Sequence, residues 1–467
     1  MWNPAGDAYD LGRLVLSRGL AVVFFIAFLN VRNQFPALLG ERGLLPAPRF
    51  LSRVGFRQAP SVFHFHYSDR ALLVVAWAGM GMAVGVVAGL TDLVPLWAST
   101  LWWLVMWALY LSVVNIGQVF YGFGWESLLL EAGFYAAFLG NADTAPPLLV
   151  IFLFRWLLFR VEFGAGLIKM RGDRCWRDLT CLDYHHETQP MPNPASRWFH
   201  HLPSSLHRTE VLSNHIAQLV APLALFLPQP VAGIGAVVMI LTQGYLMISG
   251  NYAWLNLTTL LLAFAALPDT WFGQSTSGGS IPTWFGIVVV ALTVGVLVLS
   301  YRPARNLLAG RQLMNFAFNR YHLVNAYGAF GSITRHRREV ILEGASVSDP
   351  EEGDWRPYEF KAKPGDPSRL PPQFAPYHLR LDWLMWFVAL SASYGRGWLD
   401  ALVEKLLEGD RAIAKLLAHS PFPDTPPAVI RARIVDYRFS SRDEKRQSGL
   451  VWVTGPSRPL FGPVELH

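Results

Sequence analysis

PLLVIFLFRWLLFRVEFGAGLIKM, residues 147–170, decides the fold. It is apolar for long enough to cross the roughly 30 Å of hydrocarbon in a bilayer, yet it carries Arg155, Glu162 and Lys169, each seven residues from the next. At about 100° per residue a step of seven returns to nearly the same line of a helix. The three charges therefore form one stripe, with Gly166 between the last two. An ionised group at membrane depth is costly unless it is paired or faces water, so such residues point into a bundle and are functional candidates by default. Two readings stand side by side. In one, the stripe lines a site; in the other, Arg155 and Glu162 form a structural ion pair while Lys169 snorkels to the headgroups. Lys169 is also the only lysine among the first 300 residues.

The rest of the chain agrees with a membrane setting. Of 467 residues, 52% are hydrophobic and 15% charged, more apolar surface than one or two soluble domains usually bury. The net charge of +6 comes from 39 basic and 33 acidic residues, too near balance for nucleic-acid binding and better placed on membrane-flanking loops. Two cysteines, Cys175 and Cys181, exclude a disulfide framework and allow at most one local bridge. The N-terminus reads MWNPAGDAYDLGRLVLSRG, acidic residues first and without a small-residue cleavage site, so no secretory signal peptide is expected.

Apolar runs near residues 14–31, 71–90, 97–114, 148–170, 231–249, 252–268 and 284–300 predict spanning helices. Two shorter runs, LLLEAGFYAAFLG and IAQLVAPLALFL, are tilted or partial spans, giving seven to nine crossings. Arginines cluster in the loop 32–70 and in the loop after residue 170, and Arg302, Arg305 and Arg311 follow the last run. By the positive-inside rule these loops and the C-terminal region share the cytoplasmic side if all nine runs cross.

Charge density rises about two and a half fold across residue 300, a domain boundary. Beyond it REVILEG, PYEFKAK and VIRARIVDYRFS read as strands, and LDWLMWFVAL and WLDALVEKLLEG as helices. The expected fold is thus a polytopic α-helical membrane domain over 1–300, with a long loop at 171–215, followed by a strand-rich α+β soluble domain over 301–467. No repeat is present, and QSTSGGS, residues 274–280, reads as a flexible loop between spans.

Further polar residues qualify as candidates. Glu126 and Glu131 in YGFGWESLLLEAGF are placed to pair with Arg155 or Arg160, though Glu126 also suits a helix N-terminus. The loop CWRDLTCLDYHHETQPMPNPASRWFHH holds Trp176, Arg177, Asp178, Asp183, His185, His186 and Glu187, and six of the 13 histidines fall between residues 185 and 215. Adjacent side chains diverge, and His185-His186-Glu187 matches neither HExxH nor paired CxxC spacing, so no metal site is assigned. The prolines of QPMPNP stiffen the loop, and a long ordered loop is usually functional. Asn251 lies at a break between two spans, where helix capping is the expected role and ligand binding the alternative. No nucleophile elbow, phosphate loop or dinucleotide fingerprint occurs, and no cofactor is expected.

These stretches carry a resemblance. DRCWRDLTCLDYHHETQPMPNPASRWFHHLP, then LSNHIAQLVAP with Asn214, then ISGNYAWLN, resemble the lipase maturation factor family. LVNAYGAFGSITRHRREVILEG, YEFKAKPGD, PYHLRLDWLMWF and PFPDTPPAVIRARIVDYRF are similar to that family's C-terminal domain. The resemblance implies a polytopic protein of the endoplasmic reticulum membrane, or of the cell membrane in a bacterium, that assists folding or assembly of a client such as a lipase. It implies a lumenal, client-binding C-terminal domain, against the charge-based orientation, and points to Trp383 and Trp386 as client-binding. A local second resemblance, FGAGLIKMRGDRCW, is similar to the vitamin K-dependent carboxylase-like superfamily and implies Lys169 as a catalytic base. In that alternative Glu162 and Arg155 tune Lys169, and the substrate is lipid-like or quinone-like. A transporter using the stripe as an ion path has less behind it, since no paired broken helices recur in two halves. The implied partners are the bilayer and a client protein.

Overall fold

The computed structural model describes residues 8–273 and 279–466. Residues 1–7 and most of the expected 274–280 loop lie outside the described residues. The long helices are α1 (Asp10–Leu39), α2 (Asp69–Val87), α3 (Leu96–Ile116), α4 (Gly124–Ala136), α5 (Leu148–Arg171), α6 (Leu182–Thr188), α7 (Ser204–His215), α8 (Val231–Ser249), α9 (Leu255–Ala263) and α10 (Thr283–Leu308). Five of them, α1, α2, α3, α8 and α10, are long and apolar enough to cross a membrane. Their outer faces expose Val74, Leu101, Leu241, Val290 and Val298, which suits contact with lipid, where apolar side chains face outward at no cost.

Helix starts follow from local chemistry. Asp269 accepts hydrogen bonds from the amides of Asp10 and Leu11 at 2.8 and 3.0 Å, satisfying the free donors of α1 from another part of the chain. Ser68 caps α2 through the Ala71 amide. Prolines 95, 147, 203 and 282 stand immediately before α3, α5, α7 and α10. α7 does not end cleanly. It runs into a π-helical turn, Ile216–Val220, the kind of widened turn that is frequent at functional sites.

The C-terminal domain holds β1 (Arg337–Ala345), β2 (Arg356–Pro357), β3 (Glu359–Phe360), β4 (Leu417–His419), β5 (Val429–Phe439) and β6 (Trp452–Glu465), with helices α11 (Arg380–Leu390) and α12 (Leu399–Leu407). Its main sheet has the order β2-β1-β5-β6, antiparallel throughout, with Val340 opposite Ile434. β3 and β4 form a separate pair. REVILEG and VIRARIVDYRF form strands as expected, whereas PYEFKAK supplies only the short β2 and β3. β6 was not legible, because Pro456, Pro459 and Pro463 interrupt it. They are tolerated on an edge strand whose register against β5 shifts.

This domain packs directly on one end of the helix bundle. The Asp173 amide after α5 donates to the Gly331 carbonyl at 2.8 Å. Asn30 and Gln34 of α1 donate to the His378 carbonyl at 2.5 and 2.6 Å. Asn251, before α9, donates to the carbonyls of Pro192 and Pro372 and accepts from the amides of Phe374 and Ala375. Asn251 is thus a staple between the parts, which corrects its expected role as a helix cap; α9 has no side-chain cap. Trp383 is also a packing residue. It is 3% exposed and packs on Trp125, Phe123 and His378, so it holds the domain against α4. The loop 171–215 is held between bundle and sheet. Arg337 donates to the carbonyls of Glu187 and Gln189 at 2.8 and 2.7 Å, and Arg197 to the Ser440 carbonyl at 2.7 Å.

Candidate functional site

The expected stripe on α5 divides into two separate environments, Arg155 in one and Glu162 with Lys169 in the other. Arg155 donates to the Ala265 carbonyl at 2.9 Å and the Leu225 carbonyl at 3.2 Å, and its guanidinium lies over the rings of Tyr9 and Phe152. Carbonyls at the ends of short helices lack intrahelical donors, and a cation there is favourable. Arg155 therefore serves two helix ends and does not pair with Glu162, as the structural reading of the stripe had it. Arg160, one turn on, forms a fully buried ion pair with Glu131. That carboxylate also accepts from the Asn325 amide at 3.0 Å and from Tyr327 and Tyr135 at 2.8 and 2.7 Å.

Glu162 and Lys169 are joined through amides. Glu162 accepts from Gln243 at 2.7 Å and Gln218 at 3.3 Å. Lys169 donates to Gln218 and to Asn214, each at 2.8 Å. Gln218 lies in the π-helical turn, which sets both of its ends between the two charges. Lys169 is 5% exposed and its ammonium lies 4.8 Å from the centre of the Trp176 ring. It does not snorkel: its charge is satisfied inside the bundle by amide oxygens and an aromatic face.

Above this row opens a cleft of 960 Å³ bounded by α5, α7, α8, the segment 327–332 and the C-terminal helix α11. Glu162, Lys169, Gln218, Gln243 and Asn214 form a polar line in a mainly apolar wall, while Trp386, Phe387, Leu390 and Tyr394 close the side belonging to the C-terminal domain. Trp386 is half-buried and, with the more deeply buried Trp383, borders the cleft. A large apolar pocket with a few convergent polar groups is the form that ligand sites take.

The loop residues fall into distinct roles. Trp176 donates its indole N–H to the Phe330 carbonyl at 2.9 Å and lines the cleft beside Lys169. His185 Nε2 lies 2.9 Å from the Tyr252 hydroxyl, which donates to Gln189 at 2.6 Å. Burial, with His186 and Lys169 nearby, holds the His185 ring well below its ordinary pKa, so it is neutral and donates through Nε2. His186 turns away toward Glu210, and Asp183 meets His207 Nδ1 at 2.9 Å. Glu187 accepts from the Phe439 amide at 2.7 Å, a contact with the sheet outside the cleft. Arg177 and Asp178 are exposed; Asp178 pairs with Arg174 on the surface at 3.1 Å. Cys175 and Cys181 form the one local bridge the spacing allowed.

Glu126 is paired with neither Arg155 nor Arg160. Its partner is Arg380, at 2.8 Å, and it also accepts from Tyr110. Sequence reasoning missed Arg380, Gln218 and Gln243. For the two glutamines a signal was present, a single amide in the apolar runs IAQLVAP and ILTQGYL, since an isolated polar group in a span is retained for a partner.

Comparison with known proteins gives this geometry a setting. Residues 11–274 match the lipase maturation factor transmembrane domain, and residues 323–459 the lipase maturation factor C-terminal domain. The chain belongs to the lipase maturation factor family. Human lipase maturation factor 1 is 42% identical over 100% of this chain and 91% of its own length, and the mouse protein 40% identical over 98% and 88%. Human lipase maturation factor 2 is more distant, at 29% over 94% of this chain and 80% of its own length. No solved structure matches. The resemblance read from the loop and C-terminal motifs is thereby borne out over the full length, and family and apolar helices together mark an integral membrane protein.

Proposed function

We propose that this chain is a membrane-embedded maturation factor that assists the folding or assembly of a lipase client, and that the cleft receives an apolar part of the client. The observation that carries this reading is that the two family domains, both present, wall the cleft jointly. In it, residues 1–300 are the membrane part, with seven to nine crossings. Residues 301–467 cover the open face, and Trp386 is the client-facing tryptophan. Lys169, Glu162, Asn214 and His185 are the polar contacts offered to the client, and Trp176 an aromatic one. The membrane is that of the endoplasmic reticulum, or the cell membrane in a cell without one.

The test is co-expression of the full chain with a homodimeric lipase in cells lacking their own factor. The specific activity of secreted lipase should rise with the wild-type chain and fall back with Leu390→Asp, which puts a charge at the cleft mouth, where Leu390 is 43% exposed. Equal specific activity with and without the chain would overturn the assignment. Full rescue by Leu390→Asp would remove the cleft from it.

A further inference from the structure

Three side chains on different turns of the 171–215 loop converge beside the cleft. His186 of α6 and His207 and Glu210 of α7 bring ligand-type atoms within 4.8 Å of one another. His186 is 2% exposed and neither of its ring nitrogens has a hydrogen-bond partner among the described residues. Its Nε2 stops 3.5 Å from Glu210 Oε2, which is likewise buried without a partner. Leaving such groups buried and unsatisfied costs about 1–3 kcal/mol apiece, so a protein retains them where something else satisfies them.

The surrounding contacts orient these atoms inward. Glu210 Oε1 accepts from the Tyr245 hydroxyl at 2.8 Å, which fixes the carboxylate with Oε2 toward His186. His207 Nδ1 meets Asp183 Oδ1 at 2.9 Å, the carboxylate–histidine pairing that sets the tautomer of metal-ligating imidazoles. His207 Nε2 lies 3.0 Å from the Phe199 carbonyl oxygen, a hydrogen bond in which the ring N–H donates, so Nε2 leaves that carbonyl when it turns to an ion. His186, Glu210 and Tyr245 also line the cleft, so an ion has a way in.

We propose that His186, His207 and Glu210 form a three-ligand site for a divalent transition metal of the zinc class, with a fourth position open to the cleft. Two imidazoles and one carboxylate are a common set for zinc. Ligand atoms on a tetrahedral zinc stand about 3.4 Å apart, so small side-chain rotations complete the site. The ion would join α6 to α7 and fix the loop on which the C-terminal sheet rests.

The experiment uses the full chain without a histidine tag, purified in detergent, stripped with chelator and dialysed against buffered zinc. Elemental analysis should find about one zinc per chain, and cobalt in its place should give the visible absorption of a four-coordinate site. His186→Gln and Glu210→Gln should each reduce the metal to background, whereas His201→Gln, outside the cluster, should keep it. If His186→Gln fails to fold, Glu210→Gln and the wild-type stoichiometry decide. No stoichiometric zinc on the wild-type chain, as expected of a His207 imidazolium donating to both Asp183 and Phe199, overturns the site. Undiminished zinc in folded Glu210→Gln does the same.

Discussion

The carboxylate of Glu126 and the guanidinium of Arg380 meet at 2.8 Å with neither side chain exposed to solvent, although more than half of the chain lies between them. Arg380 also donates to Asn30 and to the Phe120 carbonyl, each at 2.7 Å, and stacks 3.4 Å from the centre of the Tyr121 ring. One residue of the C-terminal domain thus ties together α1, the turn before α4, and α4 itself. The wall of the cleft formed by α11 is held in place by this clasp.

Removing one partner of a buried ion pair leaves an uncompensated charge and costs about 3–5 kcal/mol, whereas replacing both by apolar groups of similar size is often close to neutral. Arg380→Met should therefore lower the unfolding temperature of the detergent-solubilised protein and expose the C-terminal domain to protease. Glu126→Leu combined with Arg380→Met should recover much of the loss. Additive losses in the double variant would show that the two residues act independently.

Gly164 allows a second close approach. A Cβ there would stand 2.4 Å from the Tyr327 carbonyl oxygen, a backbone atom that cannot rotate away. Gly164→Ala should push the segment 327–332 off α5, disturbing the Glu131 network and narrowing the cleft, at a cost of about 1–3 kcal/mol. Thermal unfolding checks the stability. Gly244→Ala, with nothing within 4 Å, is the neutral control.

Much of this was legible in the sequence, and the part that was not has a common cause. Six of the seven long apolar runs became long helices, because burial in lipid demands uninterrupted apolar length; the run 252–268 gave only the nine-residue α9 and a 3-10 turn. The strands REVILEG and VIRARIVDYRF kept their alternation. What spacing cannot convey is the partner of a buried charge. The seven-residue stripe correctly put Arg155, Glu162 and Lys169 on one side of α5, yet Arg155 is satisfied by backbone carbonyls, which leave no mark in a side-chain pattern. The packing role of Trp383 was hidden for a related reason. An aromatic in a domain that reads as soluble looks exposed until the domain is seen to dock through it.

Acid should loosen the contact between the two parts. Burial pushes the His322 ring down to about 4; it faces only uncharged groups, Ser127 at 2.8 Å and Asn115 at 3.3 Å. His378 is also held well below its ordinary value, by burial and by Arg380, while Glu126, 3.8 Å away, is engaged with that arginine. A depressed histidine binds fewer protons folded than unfolded, so its contribution to stability is complete above about pH 6.5 and declines as pH falls toward the folded value. The slope is up to about 1.4 kcal/mol per pH unit for each such residue. Unfolding temperature should drop between pH 7 and pH 5, less steeply in His322→Asn. A flat profile, or an unchanged slope in that variant, contradicts the assignment.

Lys169 separates binding from catalysis. Its two amide acceptors and the Trp176 face hold a cation, and Lys169→Arg keeps a cation with donors at that place. A role in binding predicts that the arginine variant supports most of the lipase activity matured by the wild-type chain. Lys169→Met, which leaves Asn214 and Gln218 without their donor, should lose it at normal expression. A general base answers differently, because a guanidinium stays protonated at any ordinary pH. Loss of that base costs about a hundredfold or more in rate. Lipase activity matured per folded molecule of each variant decides between them: collapse with arginine as complete as with methionine would return Lys169 to chemistry.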